Sequence, residues 1–539
     1  MTAERRAWAP RRCGCVLAGA ILAAGGPGPL LAQSADLNDD PLSAIDWLSD
    51  NMGRSAPFDG IAAGPEARTG GLIDEEIEVR PLGEIESEVV GLFPAEQVGL
   101  PRDFWGHTPA DELAAQLRAL RVDTLPAAQT MIYRLLLAEF DPAPAGPTGT
   151  EGDLMLARID TLKGFGALEQ ALQLIESGTR LSPELWQRWF DIALLLGEED
   201  RACAALNGQP DLSPAYAARV FCLARGGDWS AAALTLQTAE SLGGMSDTDA
   251  VLLRRFLDPE DADIPASRFT PPIESPLHWR ILEAIGEPVY THALPVAYAQ
   301  ADLRGTAGWR AQIEAAERLT RSGALEPNRL LGLYTEARAA ASGGIWDRVR
   351  AVTVFERALE TGTPEAIGPA LLDLWHQAQA AELETAFAAL FTERLEGVAL
   401  TGPARMRAFE MALLAPEVGA AILAGPPSDL PTGPRAAFLA GLAQGRADPE
   451  LAARQQNRQL ALAIAVGMAD DAEVPASMAA AIAEGATGQA TLGALERLAE
   501  GAAGDLRAAA DALATLRALG LEATARRAAL ELMILTRAG

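Results

Sequence analysis

Cys203 and Cys222 are the only cysteines after residue 32 of this 539-residue chain. They lie in two consecutive helix-like segments, joined by a loop at residues 207–214. In an oxidising compartment, thiols on neighbouring antiparallel helices form a disulfide if their Cα atoms lie within about 7 Å. Such a bond would close a loop of about 20 residues and stabilise the hairpin by roughly 3 kcal/mol. The alternative is two buried free thiols that fill space as small apolar side chains.

Other residues that commonly bind metals are sparse. The four histidines are His107, His278, His292 and His376. None is spaced from another as zinc ligands on a helix are, and no cysteine accompanies them. His278 and His292 flank one unusual loop and are the only pair worth comparing. We therefore expect structural roles for the histidines, no metal site and no cofactor.

Two segments match ligand-binding motifs over part of their length. The Gly-Phe-Gly at residues 164–166 begins like a dinucleotide fingerprint, but it follows a helical run where phosphate binding requires a strand. The four acids between residues 258 and 263 lack the glycine and terminal glutamate of an EF-hand, so we expect a solvated loop. The sequence contains no Walker loop, no Gly-x-Ser-x-Gly elbow and no His-Glu-x-x-His. It therefore predicts no catalytic residues.

The two cysteines lie in a stretch, residues 151–243, in which one pattern occurs three times. Each copy has a glycine after an apolar helical run, an alanine five residues later and a large aliphatic residue nine residues later. The glycines are Gly166, Gly197 and Gly227, the alanines Ala171, Ala202 and Ala232, and the aliphatic residues Ile175, Leu206 and Leu236. Glycine can end a helix in the left-handed conformation, alanine lets two helices approach closely, and the aliphatic side chain fills the core. A period of about 30 residues predicts tetratricopeptide-like helical hairpins, with an ordinary helical bundle as the alternative.

Composition extends the helical prediction to the whole chain. Alanine and leucine dominate and aromatic residues make up 5%, which indicates an all-α fold. We expect an α-α hairpin solenoid with repeats at residues 109–257, a second helical block at 277–425 and Ala-rich repeats at 435–539. The final helix, from residue 522, would cap the stack. The net charge of −29 disfavours binding to nucleic acids and anionic membranes.

The N-terminal part of the chain, residues 1–108, differs from the rest. Residues 1–32 have the basic start, short apolar run and small cleavage residue of an export signal, too short to span a membrane. Residues 33–108 are expected to be extended and partly disordered, although the apolar stretch at 92–105 should pack on the helical body. A short helix at 41–49 would place Leu42, Ile45 and Leu48 on one face, with Trp47 beside them. We interpret it as a docking peptide for another protein or for a groove of this chain, or else as loose linker.

Five segments carry a wider resemblance: DPLSAIDWLS at 40–49, GLPRDFWG at 99–106, RVFCLARGGDWSAAALTL at 219–236, ADLRGTAGWRAQIEAAERL at 301–319 and PNRLLGLYTE at 327–336. In these the chain resembles a family of exported helical-repeat proteins from the Rhodobacterales and related alphaproteobacteria. The resemblance implies export and a helical-repeat fold, and it implies no activity. Some members carry an antifreeze-glycopeptide label, which does not fit this chain because tandem Ala-Ala-Thr units are missing from it.

These patterns together predict a non-catalytic, periplasmic scaffold or adaptor that binds another periplasmic or cell-envelope protein. The alternative is a peptidoglycan- or glycan-associated protein or hydrolase. A hydrolase of this kind needs two carboxyl groups about 5–10 Å apart in the groove of the solenoid. A deep pocket lined by two facing carboxylates would support it, whereas a groove lined by alanine and leucine would not.

Overall fold

A computed structural model describes residues 90–150, 152–178, 181–213, 215–258, 273–339, 341–416 and 433–535. All of them belong to one compact unit of the chain. Two short strands, β1 (Phe93–Pro94) and β2 (Ala138–Glu139), pair in parallel, and the rest of the regular structure in these ranges is helical. The prediction of an all-α fold is therefore confirmed.

Two predictions fall on other parts of the chain. The export signal at residues 1–32 lies outside the described residues, and so does the docking helix expected at 41–49. That helix includes all four proposed docking residues, Leu42, Ile45, Trp47 and Leu48.

The described residues of the first block contain nine α-helices: α1 (Ala110–Ala119), α2 (Pro126–Leu137), α3 (Asp153–Phe165), α4 (Leu168–Ser177), α5 (Pro183–Leu196), α6 (Glu199–Gly208), α7 (Tyr216–Arg225), α8 (Trp229–Leu242) and α9 (Asp247–Leu257). Eight follow in the described part of the second block: α10 (Pro276–Ala284), α11 (Ala299–Asp302), α12 (Trp309–Arg321), α13 (Pro327–Thr335), α14 (Ile345–Thr361), α15 (Pro364–Ala381), α16 (Glu384–Leu395) and α17 (Gly402–Leu414). The last block comprises α18 (Pro434–Ala443), α19 (Pro449–Ala452), α20 (Arg458–Gly467), α21 (Ala476–Ala483), α22 (Thr487–Ala502), α23 (Leu506–Ala518) and α24 (Glu522–Leu535).

At each of the three copies of the pattern, two helices of the described structure meet near the glycine. Gly166 and Gly197 follow α3 and α5 directly, with left-handed φ angles of 81° and 80°. Gly227, one residue beyond the cap of α7, has a φ angle of 86°. The alanine and aliphatic residues that follow at fixed offsets are all buried. Each second helix packs on the first helix of its own hairpin and on the first helix of the next: α4 on α3 and α5, α6 on α5 and α7, α8 on α7 and α9.

The glycine and the alanine of this pattern, without a regular aliphatic residue after them, recur in the last block with a shorter period. Gly485, Gly504 and Gly520 again have positive φ angles, and the alanine five residues after each is fully buried. Here the glycines separate successive single helices, α21 to α24, so they recur at little more than half the spacing of the first series. A search for one fixed period therefore finds the first series and misses this one.

The final helix, α24, has a different position from the terminal cap expected. It packs on α2, α17, α18, α20 and α23 because most of its faces are apolar. The Glu531 carboxylate accepts a hydrogen bond from the Ala127 amide at 2.8 Å, at the N-terminus of α2. Arg527 donates to the carbonyl oxygens of Leu413 and Ala415, at the end of α17. The carboxylate lies at the N-terminal end of one helix and the guanidinium at the C-terminal end of another, so each charge meets the opposite end of a helix dipole. Helix α24 thereby joins the first block to the second.

The stretch at residues 92–105 packs into the core, and Arg158 holds its start. The Arg158 guanidinium is buried and donates to the carbonyl oxygens of Val90, Leu136 and Ala138, at 2.7, 2.9 and 3.0 Å. This burial lowers the pKa of Arg158 to about 10. A single side chain thus donates hydrogen bonds to three carbonyl groups in and next to the short β1–β2 pair.

The buried apolar side chains form two clusters. The larger one runs through all three blocks, and the smaller one lies among α5–α10. Leu181, Trp189, Ile273 and Val289 are partly buried and pack against both clusters. Within the described ranges, none of the helices is both long enough and apolar enough to cross a membrane.

Candidate functional site

The disulfide lies in the smaller core cluster. Cys203 on α6 and Cys222 on α7 are bonded, with their Cα atoms 5.0 Å apart. Both residues are buried, and they link the second hairpin of the series to the third. The structure therefore contains the bond that the positions of the cysteines favour.

A chain of five aromatic rings runs from the smaller core cluster to the surface. Trp186 stacks on Phe190 with ring centroids 4.9 Å apart, and Phe190 meets Phe221 edge-on at 6.1 Å. Phe221 stacks on Phe256 at 5.5 Å, and Phe256 contacts Trp229 at 6.1 Å. Trp186 is fully buried, whereas Trp229 is 50% exposed. Successive ring contacts from α5, α7 and α9 thus hold an exposed tryptophan at the start of α8.

Helix α8 begins and ends at well-defined caps. The Asp228 carboxylate accepts from the Ala231 amide at 3.0 Å, and Gly243 ends the helix with a φ angle of 64°. Ala232, Leu236 and Ala239 turn inward and are buried. The caps and the small inward residues fix the helix closely against α7 and α9.

The opposite side of α8 is exposed and carries large apolar side chains. Leu234 is 66% exposed and Leu242 is 68% exposed, in addition to Trp229. We define the α8 face as the seven exposed uncharged residues of this helix: Trp229, Ser230, Leu234, Gln237, Thr238, Ser241 and Leu242. At 3.6 residues per turn, Leu234 lies opposite the buried residues, and Trp229 and Leu242 lie toward the two edges of this face.

The polar groups of this face are partly satisfied within the helix itself. The Thr238 hydroxyl donates to the Leu234 carbonyl, and the Ser241 hydroxyl donates to the Gln237 carbonyl, both at 2.8 Å. A partner that covers these hydroxyls therefore leaves no unpaired donor on them. These two hydroxyl groups therefore need no hydrogen-bond acceptor from a partner.

The only charged residue of α8 is Glu240, and it is paired. Its carboxylate binds Arg254 of α9 at 2.7 Å. Over its 14 residues α8 therefore carries one charge, which is paired with a residue of α9. The α8 face thus offers a partner a surface with no charge of its own.

Carboxylates along α3 and α5 form ion pairs with basic side chains. Arg188 donates to both oxygens of Asp160 at 2.7 Å, and Lys163, the only lysine of the chain, lies 3.3 Å from Asp191. Burial raises the pKa of Asp191 despite that lysine. These contacts tie α3 to α5 and engage the oxygens that an acid–base catalyst would need free.

A small cleft lies between the end of α1 and α22. Its lining includes Leu120, Leu492 and Leu495, with Glu496 as the one carboxylate. This cleft therefore does not provide the two facing carboxylates that glycoside hydrolysis requires.

The histidines that flank the loop after α10 have separate neighbours. His278 is buried, and its Nε2 lies 2.8 Å from Asp249 of α9, while the His292 ring lies 6.3 Å from Tyr290. The hydrogen bond from His278 is the main reason that the pKa of Asp249 is lowered. Among the residues that the structure describes, no group of three or more His, Cys, Asp or Glu side chains is placed to hold a metal ion.

Sequence reasoning found the disulfide and missed the α8 face. A signal was available, because the segment from Trp229 to Leu242 contains a single charge and begins with a tryptophan. The repeated pattern had assigned Ala232 and Leu236 to the core, and Leu234, two residues from each, falls on the opposite side of a helix. The four docking residues between Leu42 and Leu48 cannot be placed relative to this face, since they lie outside the described ranges.

No known protein family, characterised protein or solved structure shows significant similarity to this chain. The family resemblance of the five segments therefore stays a prediction.

Proposed function

We propose that this protein is an exported, tetratricopeptide-like scaffold that binds another protein of the periplasm or cell envelope through the α8 face. The observation that carries the proposal is an exposed, uncharged helix face around Leu234, with a tryptophan at its edge that is already ordered by its neighbours.

The order of Trp229 supports a binding role in energetic terms. Tryptophan is enriched among the few residues that supply most of the affinity of an interface. Fixing a side chain on binding costs about 0.5–1.5 kcal/mol of conformational free energy. The contact with Phe256 already restricts Trp229, so less of this cost remains on binding. The disulfide beneath adds rigidity, because it constrains α6 and α7, and α8 packs on α7.

The assignment to repeats and to an oxidising compartment rests on different observations. The packing of α3 to α9, in which each helix contacts its neighbours along the series, supports a tetratricopeptide-like arrangement. The disulfide and the pattern of residues 1–32 support export, because such bonds persist mainly outside the cytosol.

The short helix at residues 41–49 would add a second contact. Its apolar side chains Leu42, Ile45, Trp47 and Leu48 suit a groove on a partner or on this chain. Deletion of residues 34–60 separates this contribution from that of α8, because the deletion leaves every described residue in place.

Site-specific photo-crosslinking in cells tests the proposal. The chain is expressed with its leader in a related bacterium, with benzoylphenylalanine in place of Leu234 or, as a control, in place of Val466. Val466 is 63% exposed and lies on α20, so it matches Leu234 in exposure and differs in location. We expect one envelope protein to be recovered at position 234, not at 466, and to be lost when Trp229→Ala is added.

Two outcomes are decisive. Equal recovery at positions 234 and 466 would contradict a binding role for the α8 face. Recovery of glycan fragments in place of a protein would favour the alternative of a wall-associated protein.

A further inference from the structure

We infer that α24 acts as a closing strap, so that the larger core cluster completes its fold only when this helix docks. The smaller cluster closes before it. The strap concerns the order in which parts of the chain close, and it is independent of what the α8 face binds.

Helix α24 is buried on all sides. Eight of its 14 residues are buried, and they include seven in a row, from Ala528 to Ile534. Because a helix turns once every 3.6 residues, seven consecutive residues cover its whole circumference. A peripheral helix buries one stripe and docks on a finished core. A helix buried all round is part of the core that its neighbours α2, α17, α18, α20 and α23 form around it.

The N-terminus of α2 depends on α24 for a hydrogen-bond acceptor. Leu125 and Pro126, at the start of α2, have no side-chain oxygen that could cap the helix. The amide of Ala127 donates instead to the carboxylate of Glu531, and both residues are buried. A buried amide without an acceptor is unfavourable, so the start of α2 is incomplete until Glu531 is in place.

The C-terminus of α17 depends on the same part of α24. Arg527 donates to the carbonyl oxygens of Leu413 and Ala415, and its guanidinium also lies 2.8 Å from Glu531. About one turn of α24 thus supplies an acceptor to the start of one helix and a donor to the end of another. Helix ends from two different blocks therefore lose their partners together when α24 undocks.

The smaller cluster is built from a single stretch of the chain. Its buried residues, and the apolar residues packed against them, lie between Leu181 and Val289. The disulfide in it spans 19 residues, whereas the contact between Ala127 and Glu531 spans 404. Contacts between residues close in sequence form earlier, because closing a short loop loses less entropy. We therefore expect the smaller cluster to close first and α2 to wait for α24.

This order of closure has a consequence during synthesis. At about 5–20 residues per second, Glu531 follows Ala127 by roughly 20–80 s. The larger core stays open for that time. The proposed export gives this delay a use, because a chain that crosses a membrane unfolded must not close its core before α24 has been delivered.

Pulsed hydrogen exchange during refolding tests the order of closure in the unsubstituted chain, with its disulfide intact. Mass spectrometry of the labelled chain shows when each helix becomes protected. Amides of α7 should become protected first, and those of α2 should become protected together with those of α24 in a later phase. Protection of α2 before α24 would overturn the inference.

A matched pair of substitutions tests the same dependence in the folded chain. Ala525→Asp places a carboxylate at a fully buried position of α24, whereas Ala523→Asp places the same group at an exposed position two residues away. Hydrogen exchange of α2 should become at least about a hundredfold faster in Ala525→Asp and change less than about threefold in Ala523→Asp. Amides of α7 should keep their rates in both variants.

Two results would count against the strap. If α2 keeps its slow exchange in Ala525→Asp while α24 itself exchanges rapidly, α2 closes without this helix. If α7 loosens as much as α2, the two clusters do not close separately. Photo-crosslinking at position 234 reports on the α8 face alone, so failure of the strap leaves the proposed function to its own test.

Discussion

Removing the disulfide should weaken the smaller core cluster and leave most of the larger one unchanged. The perturbation is the double substitution Cys203→Ala with Cys222→Ala, which retains two small apolar side chains at buried positions. The bond spans a sequence separation of 19 residues. In the chain-entropy account, closing a loop of this length restricts the unfolded state by about 3 kcal/mol at 25 °C. We expect the free energy of opening of α6 and α7 to fall by about that amount.

Hydrogen exchange followed by mass spectrometry resolves where the loss occurs. A chain of 539 residues with two core clusters is not expected to unfold in one step. A single melting temperature would therefore not separate the stability of one cluster from that of the other. Because about 1.4 kcal/mol corresponds to a factor of ten, amides of α6 and α7 should exchange about a hundredfold faster. Amides of α14 and α15, which pack on each other far from the bond in the sequence, should keep their rates.

Two controls define what would refute this reasoning. The unsubstituted chain treated with a reductant should show the same pattern as the double alanine variant. If α6 and α7 exchange less than threefold faster, the bond does not limit their opening. If α14 and α15 loosen equally, the clusters do not open separately.

Three further substitutions test other parts of the structure. Arg158→Met leaves three buried carbonyl oxygens without a donor, which should lower the free energy of unfolding by about 3 kcal/mol and speed hydrogen exchange at residues 90–105; an unchanged melting profile would contradict this. Ala202→Leu should cost about 1–3 kcal/mol by overpacking α5 and α6, whereas Ala204→Leu on the exposed side of α6 should cost little, as denaturant titration would show. The pKa of Asp249 is lowered in the folded chain, chiefly by His278, so its contribution is present above the ordinary value of 3.8 and is lost as the pH falls through the lowered value. The stability difference between the unsubstituted chain and Asp249→Asn should therefore be fully present at about pH 5 and shrink below about pH 4; a difference that grows at low pH would refute the assignment.

The sequence by itself determined the local units of this protein. A glycine that ends a helix and an alanine that permits close packing act on residues a few positions away, so Gly166 and Ala171 predict their hairpin without knowledge of the rest. The disulfide was predictable from nearby residues for the same reason, because Cys203 and Cys222 lie on adjacent helices. The fold class followed for the same reason, since helix formation is governed largely by composition and short periods.

Only the tertiary structure decided which distant groups meet and which surface stays uncovered. The Glu531 carboxylate satisfies an amide 404 residues away, and no local pattern identifies that partner. The three carbonyl groups around Arg158 lie in two separate segments of the chain. The repeat places Leu234 on the side of α8 away from the buried Leu236, but only the positions of the neighbouring helices decide that this side stays uncovered. Burial and charge compensation are properties of pairs of segments, so they are fixed only when the segments pack.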